Sequence, residues 1–545
     1  MHMEESTSSK RLSWTVFAVY AIITGVLSIR HTMWRDELQL WLISYKSSTF
    51  SELLTNTSHE NRPMGYFILC WLISRFTSNP EIMKLTNWIT AIALAYTILF
   101  KIQIKSFIKI AFLFGLIPLI GYSHIAEDYM LGTFLFVLLI KYFLESRNQT
   151  RFFVIAAIIA NIHILFLLAS SGFVVVYFID SLTPRATFRQ MMTTNSRLIT
   201  TGVVYAAITN LSVYRVSQAT PGAYPANTQF LFVIATVCLI FLYVLIASKY
   251  PQNLKFKNII NLKNVAVTAI ISVILAIFIF IQEKQVFYSL TESASLAAKR
   301  SLTILASSFF PFINFQSADT AHRIIALIFI LFAGILLATI LALAFTQDMR
   351  VGIAILASNL ILLSGMILHS SYWWHFGVLY VLQFGSIILL NRNSLKPRFI
   401  YLYRSLLTVV LVSQLIALFW GPRIDLWERR PYSMAESTAV FLSQNCDSEC
   451  TIIVNRESVG AAISAYMNGR EIYYVDKGQF GTFARWRFLV PDPTWEHVLE
   501  TSSQFKNSII VVSGLSNPPS SLQKLKEFTG AVWNDEDFTV YKPTS

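Results

Sequence analysis

From Leu12 to Trp420 the chain is a succession of apolar runs separated by short polar stretches, and no other feature constrains its fold as much. A helix needs ~20 apolar residues to cross a hydrocarbon core about 30 Å thick, and fewer inside a bundle. By that measure the expected spans are 12–29, 85–100, 110–125, 129–144, 152–161, 165–179, 198–213, 230–248, 265–281, 324–345, 351–368, 376–390 and 406–420, about thirteen in all. Residues 64–76 are left out: as a helix they cover only about 20 Å, so a lying or re-entrant helix is expected there. The first run lacks a small-residue cleavage site after it and is expected to be a retained anchor.

Composition agrees with a polytopic α-helical membrane protein. The 545 residues are 54% hydrophobic and 13% charged, whereas soluble domains carry about 25% charged residues. The net charge of +13 comes from Lys and Arg flanking the runs, and the sequence has no nucleic-acid motif, so no nucleic-acid partner is expected. With the N-terminus inside, the clusters Lys101/Lys105/Lys109, Lys141/Arg147/Arg151, Arg185/Arg189/Arg197, Lys249/Lys255/Lys257/Lys263 and Arg392/Lys396/Arg398 fall on one side. Counting 64–76 as a span would put nearly all of them outside, against the positive-inside rule. Residues 31–84 are therefore expected to form the first outer loop.

Residues 1–424 thus read as a transmembrane domain and 425–545 as a second unit on the outer side. In the latter, strand-like TIIV, EIYYV, SIIVVSG and FTVYK alternate with helix-like AESTAVFLSQ, VGAAISAYM, TWEHVLETSSQF and SLQKLKEF. That alternation predicts a small α/β domain with a largely parallel sheet. Cys446 and Cys450 in CDSEC suit a short-loop disulfide in an oxidising compartment. No Rossmann glycine fingerprint is present, so the sheet does not by itself imply a nucleotide.

The outer loops hold unusual polar groups directly beside apolar runs, and ionisable groups at membrane depth are costly and tend to mark a site. The first loop, WRDELQLWLISYKS through HENRP, carries Asp36, Glu37, Glu60 and Arg62. Its Leu38, Trp41, Leu42 and Tyr45 recur at helical spacing, which predicts a helix lying on the membrane surface with Asp36 and Glu37 at its N-terminus. The helix macrodipole alone would also favour an acidic pair there. GYSHIAEDYMLG supplies His124, Glu127 and Asp128; ANIHIL supplies Asn161 and His163; HSSYWWHFG supplies Trp374 and His375. The carboxylates suit a general base or a divalent cation, and Arg62, Lys299, Arg300 and His375 suit a phosphate.

WRDELQLWLISYKS…HENRPMGYFIL resembles the opening of the GT-C superfamily of membrane glycosyltransferases, and within it a bacterial group opening on W-R-D-E-x-Q-x-W-L-I. AEDYMLGTFLFVLL, IIANIHILFLL, YWWHFGVLYVLQFG and GTFARWRF extend the resemblance along most of the chain. The pattern is broken at three places: Glu127-Asp128 stand where Arg is expected before the Tyr, Trp374-His375 replace Arg-His, and Arg62 replaces His before the Pro.

The resemblance implies transfer of a sugar, with inversion, from a polyprenyl-phosphate-linked donor to a glycan, lipid or protein acceptor at the outer face of a bacterial inner membrane. Asp36 would be the general base, with Glu37 beside it. Glu60, Glu127 and Asp128 would orient the acceptor, or hold Mg or Mn together with Asp36 if a divalent cation takes part. Arg62, Lys299, Arg300 and His375 would bind the donor phosphate, and Trp34, Trp41, His163 and Trp374 would contact sugar or lipid. A transporter or flippase is the competing reading, but it calls for repeated halves with broken helices, which this sequence does not show. A membrane-anchored binding protein is the other, and it has no need of an acidic first loop.

Overall fold

The computed structural model describes residues 7–60, 62–145, 149–181, 205, 303–313, 320–368, 373–390, 397–419, 430–485 and 492–544. Three helices are long and apolar enough to cross a membrane: Lys10–Arg30, Ile82–Lys101 and Ile324–Gln347. Two of them show why. On the helix Thr320–Gln347, Ile324, Leu327, Ile328, Leu331 and Ile335 form one exposed apolar stripe, while Ala333, Leu336, Ile340 and Leu343 are buried on the opposite side. Leu12, Val19, Ile22, Val26 and Ile29 do the same on Thr7–Arg30. An apolar face left open along a whole helix is what lipid contact requires.

The expectation of about thirteen spans is overturned: among the described residues only these three helices qualify by length and composition. The runs at 230–248 and 265–281, and all of 198–213 but Tyr205, lie outside the described residues. Several of the other runs bury much of their surface within the protein. Gln149–Ile162 has 14 residues, about 21 Å of helix, and buries Phe152, Phe153, Ala156, Ile159 and Ile162. The run at 110–125 is not one helix at all: Ser106–Leu113 ends before a separate widened turn, Ile117–Tyr122, that contains Pro118. Hydropathy reads alike for a helix facing lipid and one facing other helices, so short runs were overcounted.

The buried helices pack through aromatic contacts, such as Phe112 on Phe384 (ring centres 3.6 Å apart) and Phe152 on Tyr177 (3.9 Å). Gly65, in the helix Met64–Ser74, lets that helix approach the C-terminal end of Gln149–Ile162, since a Cβ there would stand 2.6 Å from the backbone oxygen of Asn161.

The C-terminal sheet has six strands: β1 (Thr451–Val454), β2 (Ile472–Tyr474), β3 (Gln479–Gly481), β4 (Ser508–Val512), β5 (Leu522–Phe528) and β6 (Phe538–Pro543). They lie in the order β3-β2-β1-β4-β6-β5. Only β1 with β2 and β1 with β4 are parallel; β2–β3, β4–β6 and β5–β6 are antiparallel. The sheet is therefore mixed, not largely parallel. SLQKLKEF, expected as a helix, is the edge strand β5, with a register shift between Lys524 and Lys526. Its exposed charges fit an edge, where they discourage pairing with other chains. Cys446 and Cys450 are joined by a disulfide.

The first-loop helix Arg35–Lys46 is not laid on a membrane surface. Every residue from Glu37 to Ser44 is buried, because Met64–Ser74 covers one side and Glu457–Tyr466 of the C-terminal unit the other. Its polar positions are paired in consequence. Ser44 donates to the Phe67 carbonyl at 3.1 Å, and the Gln39 amide donates to the Ala484 carbonyl at 2.6 Å while accepting from the Ala484 N–H at 2.9 Å. The next helix, Phe50–Asn56, starts where the Thr49 hydroxyl accepts from the Glu52 N–H and the Glu52 carboxylate accepts from the Ser48 N–H, which satisfies donors no helical bond reaches.

Candidate functional site

Glu37 joins the start of the helix Arg35–Lys46 to the stretch that leads into Asp128–Leu144. It is fully buried and accepts from the Trp34 N–H at 3.1 Å and from the Ala126 N–H, with His31 Nε2 at 2.8 Å. Packed around it are the rings of His31 and His124, 5.2 Å apart, and of His31 and Tyr432, 4.8 Å apart. A carboxylate held by this many donors is fixed in place, so Glu37 is a structural bridge.

Asp36, on the adjacent position of the same helix, differs in the way that matters for chemistry. Its side chain is 28% exposed, and its nearest ionic partner is Arg35 at 3.7 Å. No described residue donates a hydrogen bond to it. Desolvation raises its pKa above the ordinary Asp value, opposed by Arg62 and Arg35 and reinforced by Glu37 and Asp535. A part-open carboxylate with raised proton affinity is suited to taking a proton.

Glu127 and Asp128 start the helix Asp128–Leu144. Arg62, held on the stretch before Met64–Ser74, reaches Glu127 at 3.1 Å. Burial pushes Glu127 up to about 8, with Arg62 opposing and Asp36, Asp128 and Glu37 reinforcing; Asp128 rises to about 6, again by burial against the pull of Arg62. Arg62 thus feels Glu127, Asp128 and Asp36 together, and these keep it protonated. The Asp128 carboxylate is 1% exposed, and the imidazole Nε2 of His163 lies 3.8 Å from it. His163 Nδ1 accepts from the Leu165 N–H at 3.0 Å, which leaves the neutral ring's proton on Nε2, facing Asp128.

Trp34, Trp374 and Trp533 line a narrow cleft with Gly121, Ile125, Glu127, Tyr129 and Tyr432. Trp34 stacks on Trp533 at 5.0 Å, and Trp374 meets the two edge-on at 5.9 and 5.7 Å. Trp374 is held by the Tyr122 hydroxyl, which donates to its carbonyl at 2.7 Å. His375 lies beside Tyr129, 6.1 Å between ring centres.

The structure thus gathers Trp34, Asp36, Glu37, Arg62, Glu127, Asp128, His163, Trp374 and His375 from separate loops. It sets others apart. Trp41 is fully buried and stacks on Tyr45, away from the cleft. Glu60 is buried and accepts from the Gln39 amide at 2.8 Å. Lys299 and Arg300 lie outside the described residues, and Cys446 and Cys450 are in the C-terminal unit. Among the described residues no three His, Cys, Asp or Glu side chains are grouped to hold a metal ion; the charge beside Glu127 is the guanidinium of Arg62.

Sequence reading missed the C-terminal contribution. Asp535 pairs with the Arg35 guanidinium, and Glu536 accepts from the Arg35 N–H at 3.1 Å. Burial pushes Glu536 up to about 8 although Arg35 stands against it. The turn carrying Trp533, Asp535 and Glu536 is fastened by backbone bonds from Val532 to Pro431 and from Met434 to Glu536. Its one sequence signal is WNDED, an aromatic beside an acidic run in an otherwise ordinary loop. No protein-family model matches the chain, and no curated protein matches it.

Proposed function

We propose that the chain is a membrane glycosyltransferase, akin to the GT-C superfamily, that moves a sugar from a polyprenyl-phosphate-linked donor to an acceptor with inversion. Asp36 accepts the proton of the acceptor hydroxyl as that oxygen attacks the anomeric carbon. The phosphate leaves with the bonding electrons and needs cations rather than an acid. Arg62 and His375 are the nearby cationic candidates, with Lys299 and Arg300 as further ones. The observation that carries this reading is the contrast between Asp36 and its neighbours: it alone of the clustered carboxylates is part-exposed and raised in proton affinity without a hydrogen-bond donor. Three membrane-length helices suit a lipid-linked donor, and the disulfide suits the oxidising periplasmic side of a bacterial inner membrane.

The test is transfer by the purified chain in lipid, offered a panel of polyprenyl-phosphate sugars, beside Asp36→Asn. The expected result is turnover with one donor that drops by ~10²-fold or more in the variant while its melting temperature holds. Equal turnover in both proteins would rule out Asp36 as the base, and no turnover with any donor would overturn the transfer reading.

A further inference from the structure

Two cations act on Asp36, Arg62 and Arg35, and each is engaged elsewhere. Arg62 is paired with Glu127 at 3.1 Å. Arg35, directly before Asp36 in the chain, is paired with Asp535 of the C-terminal unit. The Arg35 Nε lies 3.7 Å from Asp36 and 3.9 Å from Glu536, too far for a hydrogen bond to either. That N–H is buried and has no acceptor among the described residues. An unsatisfied buried donor is costly, so a guanidinium released by Asp535 has reason to close the gap to Asp36.

Asp535 is itself held in place. Its carbonyl accepts from the Ser513 hydroxyl at 2.7 Å. Ser513, directly after β4, exchanges two hydrogen bonds with Asn455, directly after β1, at 2.9 and 3.1 Å. The two central strands of the sheet thus anchor the residue that restrains Arg35. The acidic groups acting on Arg35 are Asp36, Asp535 and Glu536, and Glu536 does not replace Asp535. Burial pushes Glu536 up to about 8, so near neutral pH it is mostly uncharged, and its oxygen serves the Arg35 backbone N–H at 3.1 Å. The remaining charged groups about Asp36 are Glu37 on its own helix and Glu127 opposite. Glu37 is bound to His31 and to backbone N–H groups, and Glu127 to Arg62, so neither draws Arg35 away.

We propose that Asp535 is a positioning residue for Asp36: by gripping the Arg35 guanidinium it keeps that group off the Asp36 carboxylate, which stays open to an acceptor hydroxyl. A docked C-terminal unit is then a condition for a working base, because a carboxylate capped by a guanidinium has its lone pairs occupied and holds a proton less well. The proposal rests for its meaning on Asp36 as the base of the transfer reaction, but the link between Asp535 and Asp36 is measurable without turnover.

The experiment is an infrared titration of the full chain in lipid nanodiscs, following the protonated-carboxyl C=O band that Asp36→Asn removes. In Asp535→Asn its midpoint is expected to fall by about 1 pH unit, since Arg35 then serves Asp36, and in Arg35→Gln to rise by a similar amount. Asp535→Glu, which keeps the pair, is expected to titrate near the native chain. With Arg35→Gln already present, Asp535→Asn is expected to move the midpoint less than half as far, because the residue acts through Arg35. Asp535→Ser gives the same reading should the Asn variant fail to fold. A folded Asp535→Asn that titrates as the native chain does, or an equal shift with and without Arg35, overturns the proposal. In transfer assays the acidic limb of the pH profile follows the midpoint downward in Asp535→Asn, a change that a merely structural tie between the units would not produce. Full turnover by Asp36→Asn beside a shifted titration would refute the base and leave the link standing, so the two failures are distinguishable.

Discussion

The guanidinium of Arg62 lies 3.1 Å from the carboxylate of Glu127, and this one cation faces Glu127, Asp128 and Asp36. Removing it leaves buried acidic groups uncompensated. Arg62→Met is therefore expected to lower stability by about 3 kcal/mol where Glu127 is ionised, read as a fall in melting temperature at pH 9, above the raised Glu127 value. Adding Glu127→Gln should recover part of the loss, since the neutral amide needs no counter-charge; a double variant no more stable than Arg62→Met would show the two side chains to be uncoupled.

Glu37 and Asp36 are neighbours with opposite expected phenotypes. Glu37 is fully buried and accepts from backbone N–H groups of Trp34 and Ala126. In Glu37→Gln the amide nitrogen would face a donor at one of these positions, at a cost of about 1–3 kcal/mol. Melting temperature should fall in Glu37→Gln and hold in Asp36→Asn, measured side by side in the same lipid. Unchanged melting of Glu37→Gln would overturn the bridging role.

Part of this arrangement was legible in the sequence. The acidic pair at 36–37, the loop carboxylates at 127–128 and the aromatic-histidine pair at 374–375 stand out because charge and aromatic clusters beside apolar runs are conspicuous at any register. What could not be read was which side of an amphipathic helix meets lipid and which meets protein. The stripe of Leu38, Trp41, Leu42 and Tyr45 looks interfacial, but Gln39 and Ser44 on the other face are also buried, because partners distant in sequence pair with them. The same ambiguity inflated the number of spans. Trp533, Asp535 and Glu536 reach Trp34 and Arg35 across about 500 residues of chain, a contact that no local period encodes. LQKLKEF was misread because leucines three apart suit a helix, whereas a register shift lets them sit in an edge strand.

Stability should fall as pH rises from mildly acidic to neutral. Burial raises Glu127 and Glu536 each from the ordinary 4.5 to about 8. Between those values the folded chain keeps protons that the unfolded chain has lost, so the folded state binds more protons and loses stability with increasing pH. Each group contributes a slope on the order of 1 kcal/mol per pH unit. Glu536→Gln retains an oxygen for the Arg35 N–H and removes the ionisation. Its melting temperature is expected to exceed that of the native chain at pH 8 and to vary less from pH 5 to 8; parallel pH profiles for the two proteins would refute this.

Gln39 and Ala484 exchange two hydrogen bonds, 2.6 and 2.9 Å, and Gln39 also donates to Glu60 at 2.8 Å. This buried amide fastens the C-terminal unit to the helix Arg35–Lys46. Gln39→Leu keeps the bulk but strands the Ala484 N–H and carbonyl and one Glu60 acceptor, at a cost of about 1–3 kcal/mol. Because the lost bonds cross between the two units, the effect should concentrate at their junction: backbone amides of 482–485 are expected to exchange hydrogen faster in the variant, while those of β1 and β4, inside the sheet, stay as protected as in the native chain. Equal protection at 482–485 in both proteins would mean that apolar packing alone holds the units together.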